Sequence, residues 1–161
     1  MFDKFGEFNS YEEINKAAEG LKEEGDTESL KELAKENGID IEDVQDYLNG
    51  ISDALTNKSM AALGKLEVEV ADLMPKDIME DWADYIRTLI CSGDEDFQVA
   101  FRKKGKSFKG CIGALLKWSH EHMHDIDNDI MKAAGFSGKT KLGIPGSARA
   151  KKIIKEYYLG R

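Results

Sequence analysis

Hydrophobic residues recur along this chain mostly at spacings of three and four, the period of an amphipathic α-helix. The first fifty residues show this pattern three times. Each run follows a residue that can cap a helix, namely Ser10, Thr27 and Asp40. Ser10 and Glu13 also match a capping box. We expect residues 1–50 to form a small acidic unit of three helices.

The remaining residues, 51–161, predict a main helical domain. A helix from Ser52 to Met74 carries an apolar stripe that runs from Leu55 to Leu73. We interpret the stripe as core, while a seam between two protomers, and hence a homodimer, stays open. The segment LEVEVADL alternates between apolar and polar residues, so a short strand is an alternative there.

The same combination of helix-starting residue and apolar spacing predicts five further helices. Glycine and proline mark the turns between them. Their expected starts are Pro75, Asp94, Ser107, Asp125 or Asp127, and Ser147. Residues 138–146 predict a flexible, basic, glycine-rich loop. The fold class that we predict is all-α, a compact bundle of about eight short helices.

Composition agrees with a globular helical protein, with 41% hydrophobic and 34% charged residues. No run approaches the roughly 20 apolar residues of a membrane span, and the first residues lack the pattern of a signal peptide. Cys91 and Cys111 both lie in apolar helical patterns, so we expect reduced core cysteines. These features predict a cytoplasmic protein without a membrane partner.

Charge divides the chain into two unlike halves. Residues 1–96 carry 26 acidic and 9 basic side chains, whereas residues 97–161 carry 5 acidic and 14 basic ones. The overall charge of −8 hides this division. An asymmetry of this size favours a charged partner, although solvated helix faces remain the alternative.

All three histidines lie in the segment SHEHMHDID, where His120, Glu121 and His124 match the H-E-x-x-H pattern of zinc metalloproteases. That pattern requires both histidines on one rigid helix and a third protein ligand. Here it lies at a predicted helix end, immediately before cap residues. We therefore expect no catalytic residues, no metal and no cofactor, and a protein that is not an enzyme.

Two charged surfaces remain as candidate binding sites. An acidic face could occupy a basic nucleic-acid channel of another protein, and its residues are Glu12, Glu13, Glu23, Glu24, Asp26, Glu28, Asp40, Glu42, Asp43 and Asp46. A basic face could contact nucleic acid or a partner, and its residues are Arg102, Lys103, Lys104, Lys106, Lys109, Lys139, Lys141, Arg149, Lys151 and Lys152.

Three stretches together resemble a known family: MFDKFGEFNSYEEINKAAEGLKEEGDTESLKELAKENGID, RKKGKSFKGCIGALLKWS and LGIPGSARAKKIIKEYYLG. In this order they are similar to type II-A anti-CRISPR proteins of Firmicutes mobile elements and prophages. A more distant likeness is to the PcfK-like proteins of conjugative plasmids. The likeness covers nearly the whole chain, and the histidine cluster is not part of it.

The resemblance implies a non-enzymatic inhibitor that binds the RNA-guided nuclease of type II CRISPR systems and blocks DNA binding or cleavage. By one route the acidic helices occupy the DNA channel. By the other, the basic half contacts guide RNA or displaced DNA and holds the complex inactive. A different class of function also stays open, namely a nucleic-acid-binding accessory protein of a conjugative or other mobile element.

Overall fold

The computed structural model describes residues 2–160. These residues form nine α-helices and one small two-stranded sheet, which confirms the prediction of an all-α bundle of about eight short helices. The N-terminal helices are α1 (Tyr11–Glu23), α2 (Thr27–Glu36) and α3 (Ile41–Leu48). The others are α4 (Lys58–Leu73), α5 (Ile78–Cys91), α6 (Glu95–Arg102), α7 (Phe108–Glu121), α8 (Asn128–Ala133) and α9 (Ser147–Leu159).

Most helices begin where the capping residues predicted. The side chains of Ser10, Asp94 and Ser107 each accept a hydrogen bond from the backbone N–H three residues later. The helix expected from Pro75, α5, begins three residues later at Ile78. Two other starts are shifted by one residue. Asp26 rather than Thr27 caps α2, and Ser147 is the first residue of α9 rather than its cap.

The long helix expected from Ser52 is shorter in the structure. Asn57 caps α4 by accepting from the N–H of Met60 at 3.0 Å, and the Ser52 hydroxyl instead donates to the carbonyl of Ala54 at 2.6 Å. The alternative of a strand at LEVEVADL is wrong, because the whole segment is helical. Leu66 and Glu69 are buried one turn apart there, so the helical period prevails over the local alternation.

Two hydrophobic clusters lie on either side of α4. The first joins α1, α2 and α3 and also includes Leu55 and Ala61, so it spans the boundary expected at residue 50. The second is built from α4 to α7 and α9 and includes Ala62 and Leu66. Since Ala61 and Ala62 are consecutive on a helix, they point about 100° apart and serve different clusters.

The main domain packs α4 against α5, α6 and α7, and α9 against α6 and α7. A small sheet pairs β1 (His124–Asp125) with β2 (Lys141–Leu142) in antiparallel register. The sequence predicted only a flexible loop at the second of these segments. Two-residue strands carry too little alternation to be seen in a sequence.

The two cysteines differ in environment, and both are free thiols. Cys111 is buried as expected, and burial raises the pKa of its thiol to about 12. The expectation for Cys91 is wrong, because this residue is exposed at the end of α5. Within residues 2–160 we find no helix that combines the length and the apolar character needed to cross a bilayer.

Candidate partner-binding surfaces

The acidic residues expected to form one face all belong to the N-terminal unit, and all are exposed except Asp43, which is half-buried. Two of them also have local structural roles. Asp26 accepts from the N–H of Ser29 at 2.9 Å, and hydrogen bonds from Ser29 lower the pKa of its carboxyl group. Glu13 accepts from the N–H of Asn9 at 2.8 Å. These carboxylates stabilise the starts of their helices.

The structure brings part of this face together with two further carboxylates. Two shallow grooves adjoin each other at Ala54. One of about 290 Å³ lies between α1, Tyr47 and residues 53–54, and the other, of about 170 Å³, lies between α3 and the segment that leads into α4. The carboxylates that border them are Glu12, Glu19, Asp43, Asp46 and Asp53. Together with Glu23, whose charge acts on the nearby Tyr47 hydroxyl, we call them the acidic strip.

Specific contacts hold the two helices of the acidic strip in place. The Asn15 side chain of α1 bonds both backbone groups of Thr56, at 2.9 and 3.0 Å, which fixes the segment that carries Asp53. Lys22 donates to the carbonyl of Tyr47 at 2.6 Å and lies over the Tyr47 ring. Burial, with Glu19 and Glu23 nearby, raises the pKa of the Tyr47 hydroxyl.

The carboxylates of the acidic strip are largely unengaged. Within residues 2–160, the side chains of Glu19, Glu23, Asp46 and Asp53 form no hydrogen bond or ion pair. Glu12 is the exception, because a hydrogen bond from Ser10 lowers the pKa of its carboxyl group. The other expected members, among them Glu24, Glu28 and Glu42, do not border these grooves.

Glu19 and Asp53 were absent from the acidic face expected from the sequence. Glu19 lies seven residues after Glu12 on α1, so the helical period could have placed both on one face. Asp53 lies on an irregular segment that Thr56 ties to α1. No local signal in the sequence indicates that contact.

The basic residues behave differently, and the placement of Arg102 on an exposed face is wrong. Its side chain is only 2% exposed, and Nη2 donates to Oδ1 of buried Asn37 at 2.5 Å. Burial lowers the pKa of the guanidinium. Its Nε and Nη1 groups have no hydrogen-bond partner among residues 2–160. Arg102 is therefore a structural residue between the two hydrophobic clusters.

The segment after Arg102 is anchored by another buried cation, Lys65 of α4. Its ammonium group donates to Glu7 at 2.6 Å and to the carbonyls of Lys103 and Lys106 at 3.1 and 2.6 Å. Burial lowers the pKa of Lys65. Glu69, one turn later, accepts from the N–H of Phe108 at 2.6 Å, and burial raises the pKa of its carboxyl group. A sequence-based search for charged surfaces could not find this buried group.

The remaining basic residues divide between opposite ends of α7 and α9. Lys106 donates to the carbonyl of Tyr157 at 2.6 Å, whereas Arg149 lies over the ring of Trp118, so the two helices are antiparallel. Lys103, Lys104 and Lys109 are exposed near the start of α7. The exposed residues near its end are Lys139, Lys141, Arg149, Lys151 and Lys152. The 14 residues of α7 separate the groups by about 20 Å.

The histidine motif is broken by the end of α7. His120 lies in its last turn, His122 is the residue that ends it, and His124 lies in β1. The His122 ring stacks on Trp118, with the ring centroids 4.1 Å apart. His120 and His124 therefore do not share a helix face, which is what a zinc protease requires. Across residues 2–160, no group of three or more His, Cys, Asp or Glu side chains is placed to hold a metal ion.

Comparison of this chain with protein-family models, with curated proteins and with solved structures found no match.

Proposed function

We propose that this chain is a non-enzymatic inhibitor that binds the RNA-guided nuclease of a type II CRISPR system and blocks its DNA binding. The resemblance of its sequence to type II-A anti-CRISPR proteins supplies the class of partner. The observation that carries the proposal is the acidic strip, where α1 and α3 present exposed carboxylates with few structural duties.

The physical basis is competition for a basic channel. Such nucleases hold nucleic acid through its backbone charge in a positively charged channel. Carboxylates fixed on two packed helices present a similar array of negative charge. An array of this kind speeds association with a basic surface and repels free DNA. Binding by this surface needs no chemistry and no second conformation of the inhibitor.

A size-exclusion experiment tests the proposal directly. Purified protein is mixed with a guide-loaded type II nuclease, and labelled target DNA is added to a parallel sample. We expect co-elution of the protein with the nuclease and loss of bound DNA. Absence of co-elution, or co-elution with DNA still bound, contradicts inhibition by this route.

Charge reversal tests whether the acidic strip makes the contact. The variant Glu19→Lys, Glu23→Lys, Asp46→Lys should bind the nuclease at least about tenfold more weakly. A matched control has the same change in net charge on exposed carboxylates of the main domain: Asp72→Lys, Glu121→Lys, Glu156→Lys. Equal losses in both variants indicate a net-charge effect and contradict a specific role of the strip. Circular dichroism melts establish that both variants are folded.

A second function is favoured by the exposed lysines of the main domain, whose side chains include Lys103, Lys104, Lys109, Lys139 and Lys141. These residues could bind nucleic acid in an accessory protein of a mobile element. That function predicts DNA or RNA binding by the isolated protein, with affinity that falls steeply as salt rises. The proposed inhibitor should bind DNA weakly when alone, since the strip repels phosphates.

A further inference from the structure

An aromatic stack lies at the end of α7, far along the chain from the acidic strip. The rings of Trp118 and His122 are nearly parallel, with 10° between their planes and 4.1 Å between their centroids. His122 Nδ1 donates to the backbone carbonyl of Trp118 at 2.8 Å, which fixes the orientation of the imidazole ring. Because His122 is an exposed residue, its ring rests on Trp118 by one face and presents the other face to solvent.

Cations from α9 and from the segment before it lie beside this stack. The guanidinium carbon of Arg149 is 5.9 Å from the centroid of the Trp118 ring. A Cβ atom at Gly143 would lie 2.3 Å from the carbonyl oxygen of Ser119, so the backbone after β2 is in direct contact with α7. This contact places β2, which carries Lys141, next to the end of α7.

These cations have no carboxylate partner. Within residues 2–160, the side chains of Lys139, Lys141, Arg149 and Lys151 form no salt bridge and no hydrogen bond. All four residues are exposed. A ligand with negative charge can therefore bind them without first breaking an ion pair of the protein.

Carboxylates at this end of the molecule are fewer than cations. Residues 117–152 contain seven basic and four acidic side chains, a net charge of +3. Glu121 lies 3.9 Å from Lys117, and Asp127 accepts from the N–H at the start of α8 at 2.8 Å. Asp125 lies opposite Lys141 in the sheet and offsets one positive charge. The surface remains positive, which suits a phosphate backbone.

We propose that this end of the protein binds single-stranded nucleic acid. A base stacks on the exposed face of His122, and Lys139, Lys141 and Arg149 contact phosphates on either side of that base. Bases of a single strand stack on exposed aromatic side chains, histidine included, with little dependence on sequence. A duplex keeps its base faces within its own stack, so it can use only the cations. The inference rests on the second function given above and names its surface and its class of nucleic acid.

Labelled oligonucleotides test the proposal without any nuclease. The probes are 12-nucleotide oligouridylate, 12-nucleotide oligothymidylate and a 12-base-pair DNA duplex, followed by fluorescence anisotropy in 50 mM salt. We expect a Kd of about 10 µM for a single strand and binding of the duplex at least about fivefold weaker. Three phosphate contacts predict a loss of about tenfold between 50 and 200 mM salt. Tighter binding of one strand identifies RNA or DNA as the ligand.

Substitution of His122 tests the stacking contact. His122→Ala should weaken binding of the single strand about fivefold or more, and His122→Phe should retain it, because phenylalanine offers the same face to a base. His120→Ala is the matched control, since His120 is exposed in the last turn of the same helix. Equal binding by His122→Ala and His120→Ala overturns the proposal.

Charge reversal tests the cations. The variant Lys139→Glu, Lys141→Glu should bind the single strand at least about tenfold more weakly. The control Lys104→Glu, Lys109→Glu has the same net charge but lies near the start of α7. Equal losses in the two variants, or tighter binding of the duplex than of both single strands, also overturn the proposal.

The outcomes separate this inference from the two proposed functions. Loss of binding in the lysine variant without an effect of His122→Ala refutes the stacking surface and leaves general nucleic-acid binding in place. Absence of binding to all three probes at about 100 µM protein refutes both. Neither result decides whether the protein co-elutes with a nuclease, and failure to co-elute does not alter the binding of oligonucleotides.

Discussion

The N-terminal unit and the main domain use their charges in opposite ways. In the N-terminal unit, carboxylates such as Glu19 and Asp46 project into solvent and form no bond within residues 2–160. In the main domain, cations such as Lys65 and Arg102 are buried and donate to groups from distant parts of the chain. The N-terminal unit leaves its charge available to a partner. The main domain uses part of its positive charge to hold the fold together.

This difference follows from the chemistry of the side chains. Lys and Arg have long stems that pass through apolar surroundings and several N–H groups that can satisfy backbone carbonyls. An ionised carboxylate is a pure acceptor on a shorter stem, and it suits helix starts and exposed surfaces. Sequence charge alone therefore overstates the basic surface of this protein more than the acidic one.

Substitution at the contact between the N-terminal unit and the main domain should cause the largest loss of stability. A Cβ atom at Gly64 would lie 2.1 Å from the carbonyl oxygen of Asn37, and backbone on both sides leaves no room to adjust. We expect Gly64→Val to lower the free energy of unfolding by at least about 3 kcal/mol. Urea denaturation followed by circular dichroism measures this change.

The control for that prediction is another helical glycine. Gly113 of α7 has open space around the position of a Cβ atom. Gly113→Ala should therefore raise the free energy of unfolding by about 0.5–1 kcal/mol. If Gly64→Val unfolds at the urea concentration of the wild type, the two regions are not joined by this close contact.

Removal of the buried cation of the main domain, Lys65, should cause the next largest loss of stability. Lys65→Met removes the donor to Glu7 and to the carbonyls of Lys103 and Lys106 and leaves those acceptors without it. We expect a loss of about 3 kcal/mol in the free energy of unfolding. Lys58→Met is the matched control, because Lys58 pairs with exposed Glu95 and lies at the surface. A loss at Lys65 no larger than at Lys58 contradicts a structural role of the buried cation.

The pH dependence of stability distinguishes a buried carboxyl from an exposed one. Burial raises the pKa of Glu69 above its ordinary value of 4.5, so the folded protein holds this proton at a pH where the unfolded chain has lost it. As pH rises from about 4.5, Glu69 should therefore cost stability. Glu69→Gln should gain stability relative to the wild type as the pH rises from 4 to 8.

The opposite pH dependence of stability is expected for Glu95, because the hydrogen bond from Lys58 lowers the pKa of its carboxyl group. The stability that Glu95 contributes is present above its ordinary pKa and is lost as pH falls through the lowered value. The wild type should thus gain relative to Glu95→Gln as pH rises. Guanidinium denaturation at several pH values measures both differences. If the difference in unfolding free energy from the wild type changes with pH in the same direction for Glu69→Gln and Glu95→Gln, the expected contrast between the two carboxyl groups is contradicted.

The helices of this fold follow from local signals, whereas its charged surfaces do not. Asp94 and Ser107 identify their helix starts because capping depends on residues within one turn. Arg102 lies in the run RKKGK and resembles its exposed neighbours in sequence. Its burial depends on Asn37, which is 65 residues away. Distant contacts of this kind decide which charges remain at the surface, and no periodicity reports them.

The same limit applies to the acidic strip. Its α1 members follow from the helical period, since Glu12, Glu19 and Glu23 recur on one side of α1. Asp46 and Asp53 join them only because Lys22 contacts Tyr47 and Asn15 contacts Thr56. The close contact between Gly38 and Gly64 was equally invisible, because it joins the turn after α2 to the middle of α4.

The smallest effect on stability should occur at the acidic strip itself. Glu19→Gln, Asp46→Asn should change the free energy of unfolding by less than about 0.5 kcal/mol, because neither side chain bonds to another described residue. The change should be a slight gain, since the substitution relieves repulsion between like charges. Asp26→Ala, by contrast, removes a helix cap and should lower the urea midpoint clearly more than the strip variant does. Thermal and urea denaturation at low salt compare the two. A large loss in the strip variant would show that these carboxylates support the fold and are not reserved for a partner.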